Sequence, residues 1–297
     1  MELRVNNTND GTAEQPYLRT DINYANVKGL PVYTSAPQGD DLALHYAVKQ
    51  AGYQGIQGGI QAFCQHLGLG ITGGGRVNSP EDAMVIAIDG KDKGYDCITL
   101  HVGWGIEDDD TCYSLVEAVL NASAQANIPL YIETHRATIT QDIWRTVKLT
   151  QVFPEIRFNG DFSHWYTGLE MVYGDINAKF AFLQPVFDRV RFIHGRISAP
   201  GCIQVDIGDG HNRLNVNHYC EMWTRSMQGF LMTAQPGDYL CFTPELLGPE
   251  ISYARLIPNA DGTWVEEGDR WQQALVHTQL ARQCWADARR RLSYLAQ

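Results

Sequence analysis

Eight short apolar runs separated by stretches of helical periodicity restrict this chain more than any other feature of it. The runs are LPVYTS (residues 30–35), YQGIQ (53–57), LGITG (69–73), DCITLHV (96–102), PLYIET (129–134), IRFNGD (156–161), VRFIHG (190–195) and YLCFTPE (239–245). Between them DDLALHYAVKQAG, SPEDAMVIAIDGKDKG, DTCYSLVEAVLNASAQAN and TITQDIWRTVKLTQVF read as helices. Ser79-Pro80 starts the second of these helices, and Thr138 or Thr140 the fourth. The amphipathic stretch DRWQQALVHTQLARQCWADARRRLSYLAQ follows the eighth run. Strands alternating with helices imply parallel pairing through helical crossovers. Eight such units over about 250 residues predict an α/β fold, a (β/α)8 TIM barrel in a single domain. A doubly wound open sheet is the rival, but no strand runs into a G-x-G-x-x-G turn, so nothing points to a dinucleotide.

The barrel is expected over 30–297, preceded by an irregular arm at 1–29 in which ELRV could add a strand. PNADGTWVEEGD (258–269) reads as a polar loop. With 23 Lys and Arg against 34 Asp and Glu, the net charge of −11 repels polyanions, so no nucleic-acid partner is expected. Seven scattered cysteines without a CxxC pair read as reduced core thiols of a cytoplasmic protein, not as a disulfide framework or thiolate zinc site. No apolar run approaches the roughly 18 residues that span a bilayer, and the N-terminus has no signal-peptide core, so no membrane association is expected.

In such a barrel the C-terminal strand ends carry the chemistry. The fourth strand ends with His101 and the fifth with Glu133 and His135. Asp161 and His164 follow the sixth, His194 and Arg196 the seventh, and Glu245 ends the eighth. Each alone is an ordinary polar loop residue; together, carboxylates and imidazoles gathered at one mouth need a balancing cation or a shared proton network. The donor set suits Mn²⁺, Mg²⁺, Co²⁺, Fe²⁺ or Zn²⁺.

YIETHR, GDFSHW, FIHGR and TPELL, in this order, resemble the xylose isomerase-like TIM-barrel superfamily of sugar phosphate isomerases and epimerases, inosose dehydratases and apurinic-site endonucleases. The resemblance implies that Glu133, Asp161, His194 and Glu245 hold one divalent metal ion, with no organic cofactor. It places His164 in the substrate pocket and makes Glu133 and Glu245 the catalytic acid and base. Arg196 falls near a substrate-contacting arginine of the epimerases, at a spacing from His194 of only two. The implied activity is isomerisation or epimerisation of a small sugar, polyol ketone or sugar phosphate, by proton transfer through a metal-stabilised enediolate. A dehydratase-like lyase is the alternative, and an endonuclease-like phosphodiesterase a more distant one. His101, with Asp209 and His211 of DGH, resembles part of the endonucleases' extra metal ligands, although the second strand ends in GIQGG without a histidine. Barrels of this superfamily often pair, so a homodimer is expected.

GLGITGGGR reads either as a tight turn needing positive φ at its glycines or as bare backbone beside substrate, with Arg76 as a charged anchor. Trp104 and Trp165 could wall a sugar pocket or belong to the core. His135, two residues past Glu133, is assigned to the substrate or to support of the ligands.

Overall fold

The computed structural model describes residues 7–295. Its strands are β1 (Tyr17–Asn23), β2 (Gly55–Gln57), β3 (Gly70–Val77), β4 (Ile98–Val102), β5 (Leu130–Glu133), β6 (Phe158–Asn159), β7 (Val190–Gly195) and β8 (Tyr239–Pro244). They pair in order, all parallel, and β8 returns to β1 to close the barrel. The ring of helices is α1 (Asp41–Gln50), α2 (Gln61–Leu67), α3 (Pro80–Asp92), α4 (Asp109–Ala126), α5 (Ile143–Val152), α6 (Ser163–Gly168), α7 (Ile176–Phe187), α8 (Leu214–Leu231) and α9 (Arg270–Leu295). The α/β barrel expected from the alternation is therefore present.

Its first strand is not where the apolar pattern put it. Residues 30–35 form turns with Val32 and Tyr33 exposed, whereas YLRTDIN, inside the segment read as an arm, supplies β1. The barrel thus begins before residue 30. The pattern misleads because β1 faces the barrel interior with charge. Arg19 reaches Asp21 and Asp96 at 2.7 Å each and donates to the Tyr239 hydroxyl at 3.0 Å, so the buried ions compensate one another. ELRV lies outside the described residues. Two other readings also change. The segment read as a polar loop folds in part as a two-stranded antiparallel sheet, β9 (Leu256–Pro258) and β10 (Trp264–Glu266). Asp142, not Thr138 or Thr140, caps α5, its side chain accepting from the Arg145 amide at 2.7 Å. Ser79 does begin α3, in a reciprocal capping box with Asp82.

A large apolar layer seals the outer helices to the sheet, with Trp223, Phe158, Phe187 and Leu240 fully buried. Trp165 belongs to this layer, 1% exposed, with its indole N–H on Thr140 O at 2.8 Å, so it walls no pocket. Inside, Cys97, Tyr131, Phe192, Tyr239 and Cys241 plug the lower end, where the Thr8 amide donates to the Tyr131 hydroxyl. All seven cysteines are free. No helix among the described residues is long and apolar enough to cross a membrane.

Because β1 forms the seam between β2 and β8, a chain lacking residues 1–29 should fail to fold, seen as loss of a cooperative urea transition. A second test concerns His277, fully buried on α9, whose imidazole burial draws down to about 4. An unfolded histidine titrates near about 6.5, so between these values only the unfolded chain takes up the proton. Stability should therefore fall as pH drops from about 6.5 towards 4. His135, drawn to about 3 chiefly by burial, adds to the same slope. His277→Gln should flatten the pH dependence of Tm in this window.

Candidate metal centre

The barrel register decides which polar side chains meet at the mouth. Asn23 pairs with Gln57, Arg76 with His101, and Glu133 with Asn159 along the tops of neighbouring strands. Interior-facing positions alternate along each strand, so β7 presents His194 and the end of β8 presents Glu245. Glu133, Asp161, His194 and Glu245 converge there, each offering one ligand atom, with all four atoms within 4.8 Å of one another.

His194 Nδ1 lies 3.3 Å from Glu133 Oε2, 3.5 Å from Glu245 Oε2 and 4.0 Å from Asp161 Oδ2. Its other nitrogen, Nε2, faces Gln57 Oε1 at 2.9 Å, and Gln57 is oriented by its amide group donating to Thr99 Oγ1. An amide oxygen can only accept, so the imidazole proton belongs on Nε2. The Asn159 carbonyl oxygen accepts the His194 backbone N–H at 3.1 Å, which turns its NH2 towards Glu133 Oε2 (3.0 Å) and His194 Nδ1 (2.9 Å). Nδ1 therefore carries a lone pair rather than a proton; here it accepts the Asn159 N–H, which a metal ion would have to displace.

The charges press for a cation. Burial alone would favour neutral imidazole, yet Glu245 and Glu133 outweigh it and push His194 up to about 9. In the neutral ring Nδ1 accepts the Asn159 N–H, and a proton or a metal ion arriving there would have to turn that amide away. Burial also works against ionised Asp161 and Glu133, but Arg196 beside the first and His194 beside the second hold both well below the usual carboxylate range. Glu245 goes the other way: burial raises it despite His194 and Arg196. Three carboxylates thus share one permanent cation, Arg196, and a divalent ion fits both the deficit and the oxygen and nitrogen donors.

The remaining residues singled out in the sequence divide. His101 accepts from Arg76 Nη2 at its Nδ1 (3.3 Å), so its Nε2–H points at Glu133 Oε1, also 3.3 Å away. His135 Nδ1 accepts the Ala137 amide at 3.0 Å, leaving the proton on Nε2, 3.5 Å from the Tyr253 hydroxyl. Although His101, Glu133 and His135 also cluster, both histidines turn N–H groups inward and offer no lone pair to a second ion. Asp209 and His211 are exposed; Asp209 accepts the His211 amide in its own turn, and among the described residues neither joins a ligand cluster with His101. The second-metal grouping is not assembled.

A cavity of about 480 Å³ opens over the centre, walled by Asn23, Tyr24, Gln57, Gly58, Gly74, Gly75, Arg76, Thr99, His101, Glu133, His194 and Glu245. His135, His164 and Arg196 lie outside this wall, 8%, 1% and 1% exposed. The imidazoles of His101, His135 and His164 stack at 4.2 and 3.9 Å between successive centroids. Neither His164 nitrogen has a hydrogen-bond partner, though Nε2 sits 3.5 Å from Asp161 Oδ2. Gly73, Gly74 and Gly75 are strand residues without positive φ, which removes the tight-turn reading. A Cβ on Gly73 would strike Tyr95 at 2.3 Å, whereas one on Gly74 would meet nothing closer than 3.9 Å. Arg76 donates to Gly103 O at 2.7 Å and stacks at 4.1 Å on Trp104, which is 55% exposed at the rim. A second cavity, of about 590 Å³, lies at the opposite end, but Arg191 there is engaged by Asn7, Thr233 and two backbone carbonyls.

Asn23, Gln57, Asn159 and Tyr253 were not singled out in the sequence. Only Asn159 left a signal, lying two residues before Asp161 and opposite Glu133.

No family model matches the chain, and no curated protein matches it in sequence. Among solved structures it is similar to a xylose isomerase-like TIM barrel protein from Mycobacterium smegmatis in complex with magnesium. The match covers 91% of this chain and 96% of that one, with 11% identity and a TM-score of 0.54. It is also similar to AsbF, a probable 3-DHS dehydratase involved in petrobactin synthesis from Bacillus anthracis, over 89% and 97% of the two chains, with 13% identity and a TM-score of 0.52. At these identities the likeness shows a shared fold alone, the (β/α)8 barrel.

Asn159 provides the test of the hydrogen-bond frame. Asn159→Leu should destabilise chelator-treated protein by roughly 2–4 kcal/mol in urea, because it strands a buried carboxylate and a backbone N–H.

Proposed function

We propose that this chain is a divalent-metal-dependent enzyme that moves a proton at a carbon next to a carbonyl, as an isomerase or epimerase of a small polyhydroxylated substrate. The observation carrying this reading is the convergence of Glu133, Asp161, Glu245 and the Nδ1 lone pair of His194 within 4.8 Å at the floor of an open cavity. These four residues would hold a divalent cation, which would supply a Lewis acid to the substrate carbonyl.

The protein's own groups do the rest. Glu133 and Glu245 reach the cavity from different sides and are the two carboxylates placed to take and return a proton. Glu245, raised by burial and slightly open to solvent, is the better base, while Glu133 is braced by Asn159 and His101. Asn23 links Glu245 Oε1 to Gln57 Oε1 at 3.1 Å each, so the base and the support of His194 are held by one amide.

The wall also speaks to substrate charge. Arg76 is committed to Gly103, His101 and Trp104, and Arg196 to the carboxylates. Apart from Arg76 and the groups of the centre the wall is neutral: Asn23, Gln57, Thr99 and Tyr24, with bare backbone at Gly58 and Gly74. Such a surface suits hydroxyl groups better than a phosphate dianion, and an uncharged sugar or polyol ketone is the preferred class.

Manganese-loaded protein incubated in D2O with a panel of ketoses, keto-inositols and their phosphates should incorporate deuterium into one of them. Glu133→Gln and Glu245→Gln should each lower that exchange by about 10²-fold or more, since general acid–base catalysis is worth ~10² to 10⁴. Exchange retained in both variants would sink the reading. A product lighter by about 18 Da would instead assign the lyase reaction, which shares the same first proton abstraction.

A further inference from the structure

Arg196 stands against the carboxylates of the centre, and the proposed reaction does not use it. It follows β7 by one residue, where the chain has already turned, its amide bonding back to His194 O at 3.1 Å. The side chain is 1% exposed. Nη2 donates to Oδ2 of Asp161 and, at 3.0 Å, to Oε2 of Glu245. Nε donates to Ser163 Oγ at 3.0 Å, and that hydroxyl in turn donates to the other oxygen of Asp161. The Tyr253 ring lies 4.5 Å from the guanidinium carbon.

The two oxygens held by Nη2 face His194 Nδ1, at 4.0 Å from Asp161 and 3.5 Å from Glu245, beside Glu133 Oε2 at 3.3 Å. They are therefore the oxygens that a cation in the centre would need. A substrate anchor would lie in the cavity wall; Arg196 is behind that wall, held through Nε and Nη2 by three partners on its own protein, with Nη1 buried and unpaired.

We propose that Arg196 is an internal counter-ion that shares two donor oxygens with the divalent cation, keeping the carboxylates together when the ion is away and weakening its binding when it is present. The inference rests on the metal reading of the site. The guanidinium cannot give up its proton, so it is a fixed positive charge in a poorly screened place. It removes carboxylate repulsion in the ion-free protein and opposes a second positive charge on the same oxygens. Arg196 is in this sense a positioning residue, whose loss should tighten metal binding, whereas general structural damage would loosen it.

The experiment is a Mn²⁺ titration of chelator-treated protein, read by the electron paramagnetic resonance of free Mn²⁺ and by melting with and without the ion. R196Q should bind Mn²⁺ at least tenfold more tightly than wild type, and R196K, which keeps the charge, should stay near wild type. Ion-free R196Q should melt below ion-free wild type, with a wider gap between its ion-free and loaded melting temperatures. If R196Q is unfolded without the ion, saturating Mn²⁺ should restore it. A folded R196Q that binds no more tightly, a chain that stays unfolded in saturating Mn²⁺, or an R196K that tightens as much as R196Q overturns the proposal while leaving the metal centre standing. Wild type and folded R196Q that both fail to bind Mn²⁺ overturn the metal reading, and this proposal with it.

Discussion

Three carboxylates brought out of water into one small volume are the constraint that orders everything else at the barrel mouth. Left alone, Glu133, Asp161 and Glu245 would repel one another in a medium that screens poorly. Each is instead met by donors from a different part of the chain. Asn159 and His101 meet Glu133; Ser163 and Arg196 meet Asp161; Asn23 and Arg196 meet Glu245. The hydrogen bonds are directional, so they orient the carboxylates as well as stabilise them. The arrangement stops short of neutrality, since Arg196 is the one permanent cation beside three carboxylates. Residual negative charge is thereby left at a cavity open to solvent.

A closed barrel is well suited to such a cluster. Parallel strands in register deliver one interior side chain each to the same level, and closure of β8 on β1 brings Asn23 beside Glu245, 222 residues away in sequence. The levels below are filled by compensated polarity and by packed rings, Arg19 with Asp21 and Asp96, and Tyr131 with Phe192. The mouth therefore rests on a rigid floor.

Which parts of this were legible in the sequence follows from where each residue's free energy comes from. Seven strands showed because they bury apolar faces against the outer helices, and apolar runs survive in any reading of composition. β1 did not, because its interior face carries Arg19 and Asp21, stable only through partners elsewhere in the barrel. LPVYTS was mistaken for a strand because Val32 and Tyr33 are apolar yet exposed. At the centre, the four acid and imidazole groups stood out by their place at strand ends. Gln57, Asn23 and Tyr253 did not, since a neutral amide or phenol acts only through geometry. The glycines of β3 show the same limit. Gly73 makes room for Tyr95 and Gly74 leaves space open to the cavity, and both requirements arise from neighbours distant in the chain or from the void itself.

The two arginines near the site show how the same residue type divides between roles. From sequence both look like anchors for an anionic group. Arg76 spends its donors on Gly103 and His101 and its flat face on Trp104, so it stiffens the rim and sets the tautomer of the imidazole that braces Glu133. Arg196 spends Nε and Nη2 on Ser163 and two carboxylates, and so joins the charge balance of the centre itself. With both engaged, positive charge is used up holding the protein's own acids in place. The neutral donors and acceptors around the cavity then stand beside carboxylates that the arginine has helped to assemble.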